Sequence, residues 1–434
     1  MPLQPLPGTD ISYALINFDA RGRERTDDPE GGVFSRTLLE RARRDAPTHI
    51  FFFSHGWMGD VPSAIDQYNR WIGAMWRLSA DRAAMGSDFH PLFIGLHWPS
   101  RPWGEETIGG GAVSFDTASS AGIEALLVTA VEHFGGGDEV RGPLRVIVEA
   151  FAQDPAARVL PDEVVAAYQA LGAAIGFSSG ADADAPPDQE GAPLDPQAAV
   201  RAERMASAGA SFGIGSAIRN GILAGLRQTS FWTMKHRART VGEEGMHQFV
   251  SQLMQASEAP VHLMGHSFGC IVVSSILGGP GGTGMLPRPV ASAFLVQGAM
   301  SLWSYADEIP HNTRPGYFRH VAARQAVSGP IVTTRSVHDH AVGAAFPAAV
   351  GLVNEVDFGT ELPTFGGIGT WGIQGTALAD ARAMLDVTGT YDFAPGRICN
   401  LESSAFITGH SAIDGPEVAH AFWQAVAASG RAQV

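Results

Sequence analysis

Short apolar runs recur along the chain, each bounded by glycine, proline or polar residues. They are "ISYALINF" (11–18), "HIFFFSHG" (49–56), "PLFIGLHWP" (91–99), "PVHLMGHS" (260–267), "VASAFLVQGA" (290–299), "PIVTTRSVHD" (330–339) and "RICNLESSAF" (397–406). Most are continuously apolar rather than alternating, the pattern of strands covered on both faces. Helical spacing fills several intervals. Residues 61–82 repeat Ile65, Tyr68, Ile72 and Met75, and residues 231–256 set Met246, Phe249, Val250 and Leu253 on one face. Residues 416–428 do the same with Val418, Ala421, Phe422, Ala425 and Val426, after the start signals Asp414 and Pro416. Strands alternating with helices predict an α/β chain with a mainly parallel open sheet flanked by helices. The first run is expected as an edge strand running against the others.

The alternation stops between 100 and 230, where the chain is Ala/Gly-rich and mostly helical in pattern. Within it, "SSGADADAPPDQEGAPLDPQ" (178–197) has the composition of a mobile loop. The predicted organisation is a core over 1–100 and 230–434 with a mostly helical insertion over 101–229. A smaller insertion over 342–396 holds the Gly-rich "FGGIGTWGIQG". Phe212, Ile218, Ile222 and Leu226 fall near one helical face. That face serves either as a lid helix or lipid-contacting surface, or as ordinary core packing.

Charge and cysteine content narrow the class. Lys and Arg number 29 against 44 Asp and Glu, a formal net charge of −15 over 434 residues. A nucleic-acid surface wants clustered cations, so no nucleic-acid partner is expected. Two distant cysteines, Cys270 and Cys399, make no disulfide framework and fit a reducing, cytoplasmic setting. "MPLQPLPGTDIS" has no basic region followed by an apolar one, so no secretory signal is expected. No apolar run reaches the roughly 18 residues that span a bilayer.

The chemistry gathers around "VHLMGHSFGCIVVSSIL" (261–277), where Ser267 lies between Gly265 and Gly269 as a strand pattern becomes a helix pattern. In a Gly-x-Ser-x-Gly turn the serine takes strained backbone angles that aim its hydroxyl off the sheet. The small residues two before and two after keep the chain from colliding with itself. The Phe268 N–H then stands at a helix N-terminus, where negative charge is favoured. "FFFSHGWMGD" (51–60) ends an apolar strand in His55-Gly56. The N–H of Trp57 becomes the second candidate oxyanion donor, with His55 orienting the loop.

A serine hydroxyl needs a base, and the base needs a group to orient it. The chain order Ser…Asp…His suits this elbow. Asp339 lies just past a late strand and is preferred to Asp307 of "SLWSYADE". His410 lies between the last strand and a capped terminal helix, and is preferred to His311, His338, His340 and His420. His338-Asp339-His340 could also be read as a metal cluster, but adjacent strand residues point to opposite sides, and no metal is expected. Cys270 is expected as a small packed hydrophobe, and "KHRAR" (235–239) as a solvated helix face. Trp57, Trp98 and Trp103 are expected near the mouth of the site.

These motifs resemble the α/β-hydrolase superfamily, in its serine esterase and lipase-like branch, over roughly 11–100, 230–345 and 397–430. The segment "SFWTMKHRARTVGEEG" (230–245) is similar to that of bacterial members without an assigned substrate. The resemblance implies the α/β-hydrolase fold, with 101–229 as a cap. It implies Ser267 as nucleophile, His410 as general base and acid, Asp339 as orienting carboxylate, and oxyanion donors at the amides of Trp57 and Phe268. The implied activity is hydrolysis of a small-molecule or lipid-like carboxylic ester through an acyl-enzyme, without a cofactor. A homo-oligomer is compatible with it. The same machinery serves amidases, thioesterases and acyltransferases, and a chain keeping only the scaffold would be a binding protein.

Overall fold

Among residues 3–26, 33–56, 61–100, 137–154, 159–174, 234–339 and 362–431, with 124, 127, 128, 131, 196, 197 and 342, the computed structural model describes one nine-stranded sheet. Its strands are β1 (Leu3–Pro5), β2 (Ser12–Asn17), β3 (His49–Ser54), β4 (Pro91–His97), β5 (Val261–His266), β6 (Ser292–Val296), β7 (Ile331–Arg335), β8 (Ala379–Ala383) and β9 (Ile398–Glu402). Their order is β1-β2-β4-β3-β5-β6-β7-β9-β8. Every neighbouring pair is parallel except β1 with β2.

The unbroken apolar runs follow from burial on both faces. Ile50, Phe51, Phe52 and Phe53 of β3 are all fully buried, and each such phenylalanine contributes roughly 1.5–3 kcal/mol relative to an exposed one. Phe51 packs edge-on against Phe422 and Trp423 of helix Pro416–Arg431, at 5.9 and 5.5 Å between ring centres. Phe53 lies 6.2 Å from Trp71 of helix Val61–Arg77. Helix Gly269–Gly278 packs on β3, β5 and β6, and all of its residues are buried. Its surroundings leave no solvated face, which is why its sequence is apolar all round.

The chain divides into two compact units. The first comprises Met1–Ser100, Arg237–Phe346 and Phe358–Val434, and carries the sheet. The second comprises Arg101–His236 and Pro347–Asp357. In the second, helices Asp138–Gln153 and Asp162–Ala174 pack against each other, and Leu144, Ile147, Val148 and Phe151 of one and Val164, Tyr168 and Leu171 of the other are buried. Each opens with two acidic residues, which suit the positive end of the helix dipole. The helix expected over 212–226, Trp57, Trp103, His340 and most of the loop expected over 178–197 lie outside the described residues. No described helix is long and apolar enough to cross a membrane.

Three expectations need correction. The run 11–18 forms β2, which is parallel to β4 and second from the edge; the antiparallel edge is the three-residue β1, too short to leave a pattern. Part of the segment 342–396 belongs to the sheet, because Ala379–Ala383 pairs with β9 as the opposite edge. This strand, "ADARA", is partly exposed and carries an Asp380–Arg382 ion pair, so it has no apolar run to betray it. The cluster 235–239 is largely covered rather than a solvated face: Lys235 and Ala238 are buried, Arg237 donates to the Pro99 carbonyl at 3.0 Å, and His236 is the exposed member.

Candidate active site

β5 ends at His266, and helix Gly269–Gly278 begins three residues later. Ser267 bridges them at φ +56°, in the left-handed region that non-glycine residues seldom occupy. Its main chain is pinned on both sides. The Ser267 N–H donates to the Val296 carbonyl at 3.1 Å, and the Ser267 carbonyl accepts from Cys270 at 3.1 Å and Ala299 at 3.2 Å. The two flanking glycines are there because the chain passes too close for a side chain. A Cβ on Gly265 would strike the backbone of Gly269 and Cys270, and one on Gly269 would strike the carbonyls of Ser54 and His55. Cys270 is fully buried, with its thiol 3.2 Å from the Gly265 carbonyl, and burial pushes its pKa well up. It packs as the small hydrophobe expected.

Asp339 lies in the turn after β7, four residues past Arg335. Ser336 ties this turn down: its N–H donates to the Gly369 carbonyl at 2.8 Å and its hydroxyl to the Ile407 carbonyl at 2.7 Å. The Val342 N–H donates to Asp339 Oδ1 at 2.9 Å. His410 lies in the loop between β9 and helix Pro416–Arg431. All three segments leave the carboxyl ends of parallel strands, so the sheet delivers them to one edge.

There the three side chains meet. His410 Nε2 is 2.9 Å from Ser267 Oγ, and His410 Nδ1 is 3.0 and 2.9 Å from the two oxygens of Asp339. The ionised carboxylate only accepts, so Nδ1 carries the ring proton and Nε2 is left to accept from the serine hydroxyl. Ser267 and Asp339 are 3% and 1% exposed and the His410 side chain 20%, so both ends of this chain of hydrogen bonds are shielded from water, which strengthens them.

The strand end at His55-Gly56 adjoins the same place. A Cβ on Gly56 would lie 2.6 Å from the Cβ of Ser267, so the segment comes this near only as glycine. His55 Nε2 accepts the Trp98 N–H at 3.3 Å, which places its proton on Nδ1, 2.8 Å from the Gly56 carbonyl. Trp98 is fully buried with its ring stacked on His55 at 5.6 Å, and so does not stand at a mouth. Phe268 is the N-cap residue of helix Gly269–Gly278, at φ −64° and ψ −19°.

Of the rival residues, Asp307, His420 and His311 have other partners, and His338 is exposed. Asp307 pairs with Arg319 at 3.1 Å on the surface. His420 Nδ1 sits 3.0 and 2.9 Å from the oxygens of Asp81. His311 stands against Phe365. Among the described residues no three His, Cys, Asp or Glu side chains converge as metal ligands.

His266 is a member of the site that sequence reasoning passed over. Its Nε2–H donates to the His410 main-chain carbonyl at 2.9 Å, and its Nδ1 faces the Gln67 amide nitrogen at 3.4 Å. Burial, with the neighbouring His410, drives its pKa well below the usual histidine value, so it is neutral. Only its place beside Ser267 could have drawn attention to it.

Comparison of the chain with protein families, curated proteins and solved structures finds no match.

Proposed function

We propose that the protein is a serine hydrolase of the α/β-hydrolase type that cleaves a carboxylic ester through an acyl-enzyme. The observation that carries this reading is the pair of contacts at His410, 2.9 Å to Ser267 Oγ and 2.9 Å to Asp339. Supporting it are the strained backbone of Ser267 on a strand–turn–helix and the parallel sheet that brings both partners to the same edge.

As the Ser267 oxygen bonds to the carbonyl carbon, its proton moves to His410 Nε2 and the carbonyl electron pair moves onto oxygen. The Asp339 carboxylate stabilises the imidazolium that forms. The amides of Phe268 and Trp57 are assigned to the oxyanion, each worth about 10²–10³ in rate. When the intermediate collapses, the leaving alcohol takes the proton from His410. Water, deprotonated by the same nitrogen, then releases the acid. The residues 101–229 are assigned as a cap.

The test is labelling by a fluorophosphonate together with turnover of p-nitrophenyl esters of graded chain length, run beside matched thioesters and anilides. Wild type should label at Ser267 and prefer the oxygen esters, while Ser267→Ala should lose both labelling and turnover and keep its fold. Turnover near wild type in Ser267→Ala would remove the serine from the mechanism.

A further inference from the structure

We propose that Gln297 is a positioning residue of this site, whose side-chain amide holds the Asp339 carboxylate in the plane it needs to orient His410. The inference rests on the serine-hydrolase reading above. Gln297 directly follows β6, is fully buried, and sits at φ +45°. A glutamine in the left-handed region is strained, and such strain persists where surrounding contacts dictate the position.

Those contacts are specific. The Gln297 amide oxygen accepts from the Thr334 hydroxyl at 3.2 Å. Its nitrogen donates to the Gly369 carbonyl at 2.7 Å and to Asp339 Oδ2 at 2.7 Å. The Gly369 carbonyl and the Asp339 carboxylate, which can only accept, decide which end of the amide faces the acid, and the Thr334 hydroxyl can donate to the other end. The hydroxyl oxygen already accepts the Gln297 main-chain N–H at 3.0 Å, so its proton is available to the amide oxygen. The reverse orientation would set the amide oxygen against both a carbonyl and a carboxylate.

Asp339 therefore receives three N–H groups: Val342 on Oδ1 at 2.9 Å, Gln297 on Oδ2 at 2.7 Å, and His410. The first two fix the carboxylate about its last torsion, and the third makes use of that. The residue covering the pair is a glycine. A Cβ at Gly369 would stand 2.8 Å from Asp339 Oδ2 and 2.8 Å from the Gln297 carbonyl carbon. A neutral donor suits the position. It holds the carboxylate without cancelling the negative charge that the imidazolium needs.

The experiment follows the rate of fluorophosphonate labelling from pH 5 to pH 10 in wild type, Gln297→Met and Gln297→Glu, with melting curves recorded alongside. Gln297→Met keeps the length and removes the donor, and should label about ten-fold or more slowly across the range, since a hydrogen bond to a charged group is lost. Gln297→Glu should label near the wild-type rate while its carboxyl shares a proton with Asp339. It should then show a new descending limb in alkali, as the second carboxylate ionises beside the first. A side chain that only fills space would give three profiles of the same shape. Wild-type labelling by Gln297→Met, or a Gln297→Glu profile without the alkaline limb, overturns the proposal. If Gln297→Met fails to fold, Thr334→Val replaces it: slower labelling supports the network, and wild-type labelling overturns it. Failure of wild type to label at all sinks the hydrolase reading, and this inference with it.

Discussion

The imidazole of His266 lies 4.8 Å from that of His410, and its Nε2–H holds the main-chain carbonyl of the same residue at 2.9 Å. The residue next to the candidate nucleophile thus fixes the loop that carries the candidate base. Nucleophile and base come from segments 143 residues apart, and this bond ties them without touching the reacting atoms.

His266→Phe keeps a ring against His410 and removes the hydrogen bond. The His410 carbonyl is left without that donor, a loss of about 1 kcal/mol in positioning. Ester turnover should fall about five-fold with KM little changed, as read by steady-state kinetics. An unchanged kcat would show that the loop holds its place without His266.

Asp339→Asn should lower kcat by about 10⁴, because an amide no longer enforces the productive tautomer of the histidine. Asp307→Asn breaks only the exposed ion pair with Arg319, worth about 0–1 kcal/mol, and should turn over ester as wild type does. Kinetics on the two variants side by side decide between the acids. The opposite ranking would displace Asp339.

The backbone at Ser267 offers a second kind of test. At φ +56° a residue with a Cβ pays about 1–2 kcal/mol that glycine does not. Ser267→Gly and Ser267→Ala should both be inactive, with the glycine variant more stable by about 1 kcal/mol in urea denaturation. Equal midpoints would mean that the elbow stores no strain.

Stability should decline as the solution is acidified. Burial pushes the pKa of His266 and His262 well below the usual value, and that of His49 down as well. His262 is held between His49 Nδ1 at 3.0 Å and Ser292 Oγ at 2.8 Å, with little room for a charge. Below about pH 6.5 the unfolded chain takes up protons that the folded chain refuses, so the folded state loses ground as pH falls. Burial lowers the pKa of His320 in the same way. Glu243, whose pKa burial raises, and the exposed His90, whose pKa backbone hydrogen bonds raise, work in the opposite sense, but the two most strongly shifted groups, His262 and His266, are buried and set the direction. Denaturation midpoints measured at pH 8, 7, 6 and 5 should fall in that order, and less steeply in His262→Gln. A flat series would contradict the burial of these rings as neutral species.

The strands at 49–54, 91–97 and 261–266 and the helix at 416–431 were legible because each buries a continuous or periodic apolar set. The elbow was legible too, since Gly265 and Gly269 sit at fixed offsets from a serine for a local steric reason. Asp339 and His410 could be named from chain order and from their places just beyond strands. Edge strands were not legible: β1 is three residues long, and β8 carries an ion pair in place of an apolar face.

What the sequence determined by itself is local: the alternation of strands and helices, the tight turn at Ser267, and a short set of acids and histidines able to partner it. The tertiary structure decided which of them meet. Asp307 and Asp339 are chemically identical, and only the sheet order turns one toward His410 and leaves the other on Arg319. His266 and Gln297 carry no mark in the chain, because their partners are a carbonyl at residue 410 and a carboxylate at residue 339. A hydrogen bond depends on distance and direction in space, and neither is written in the spacing of residues far apart along the chain.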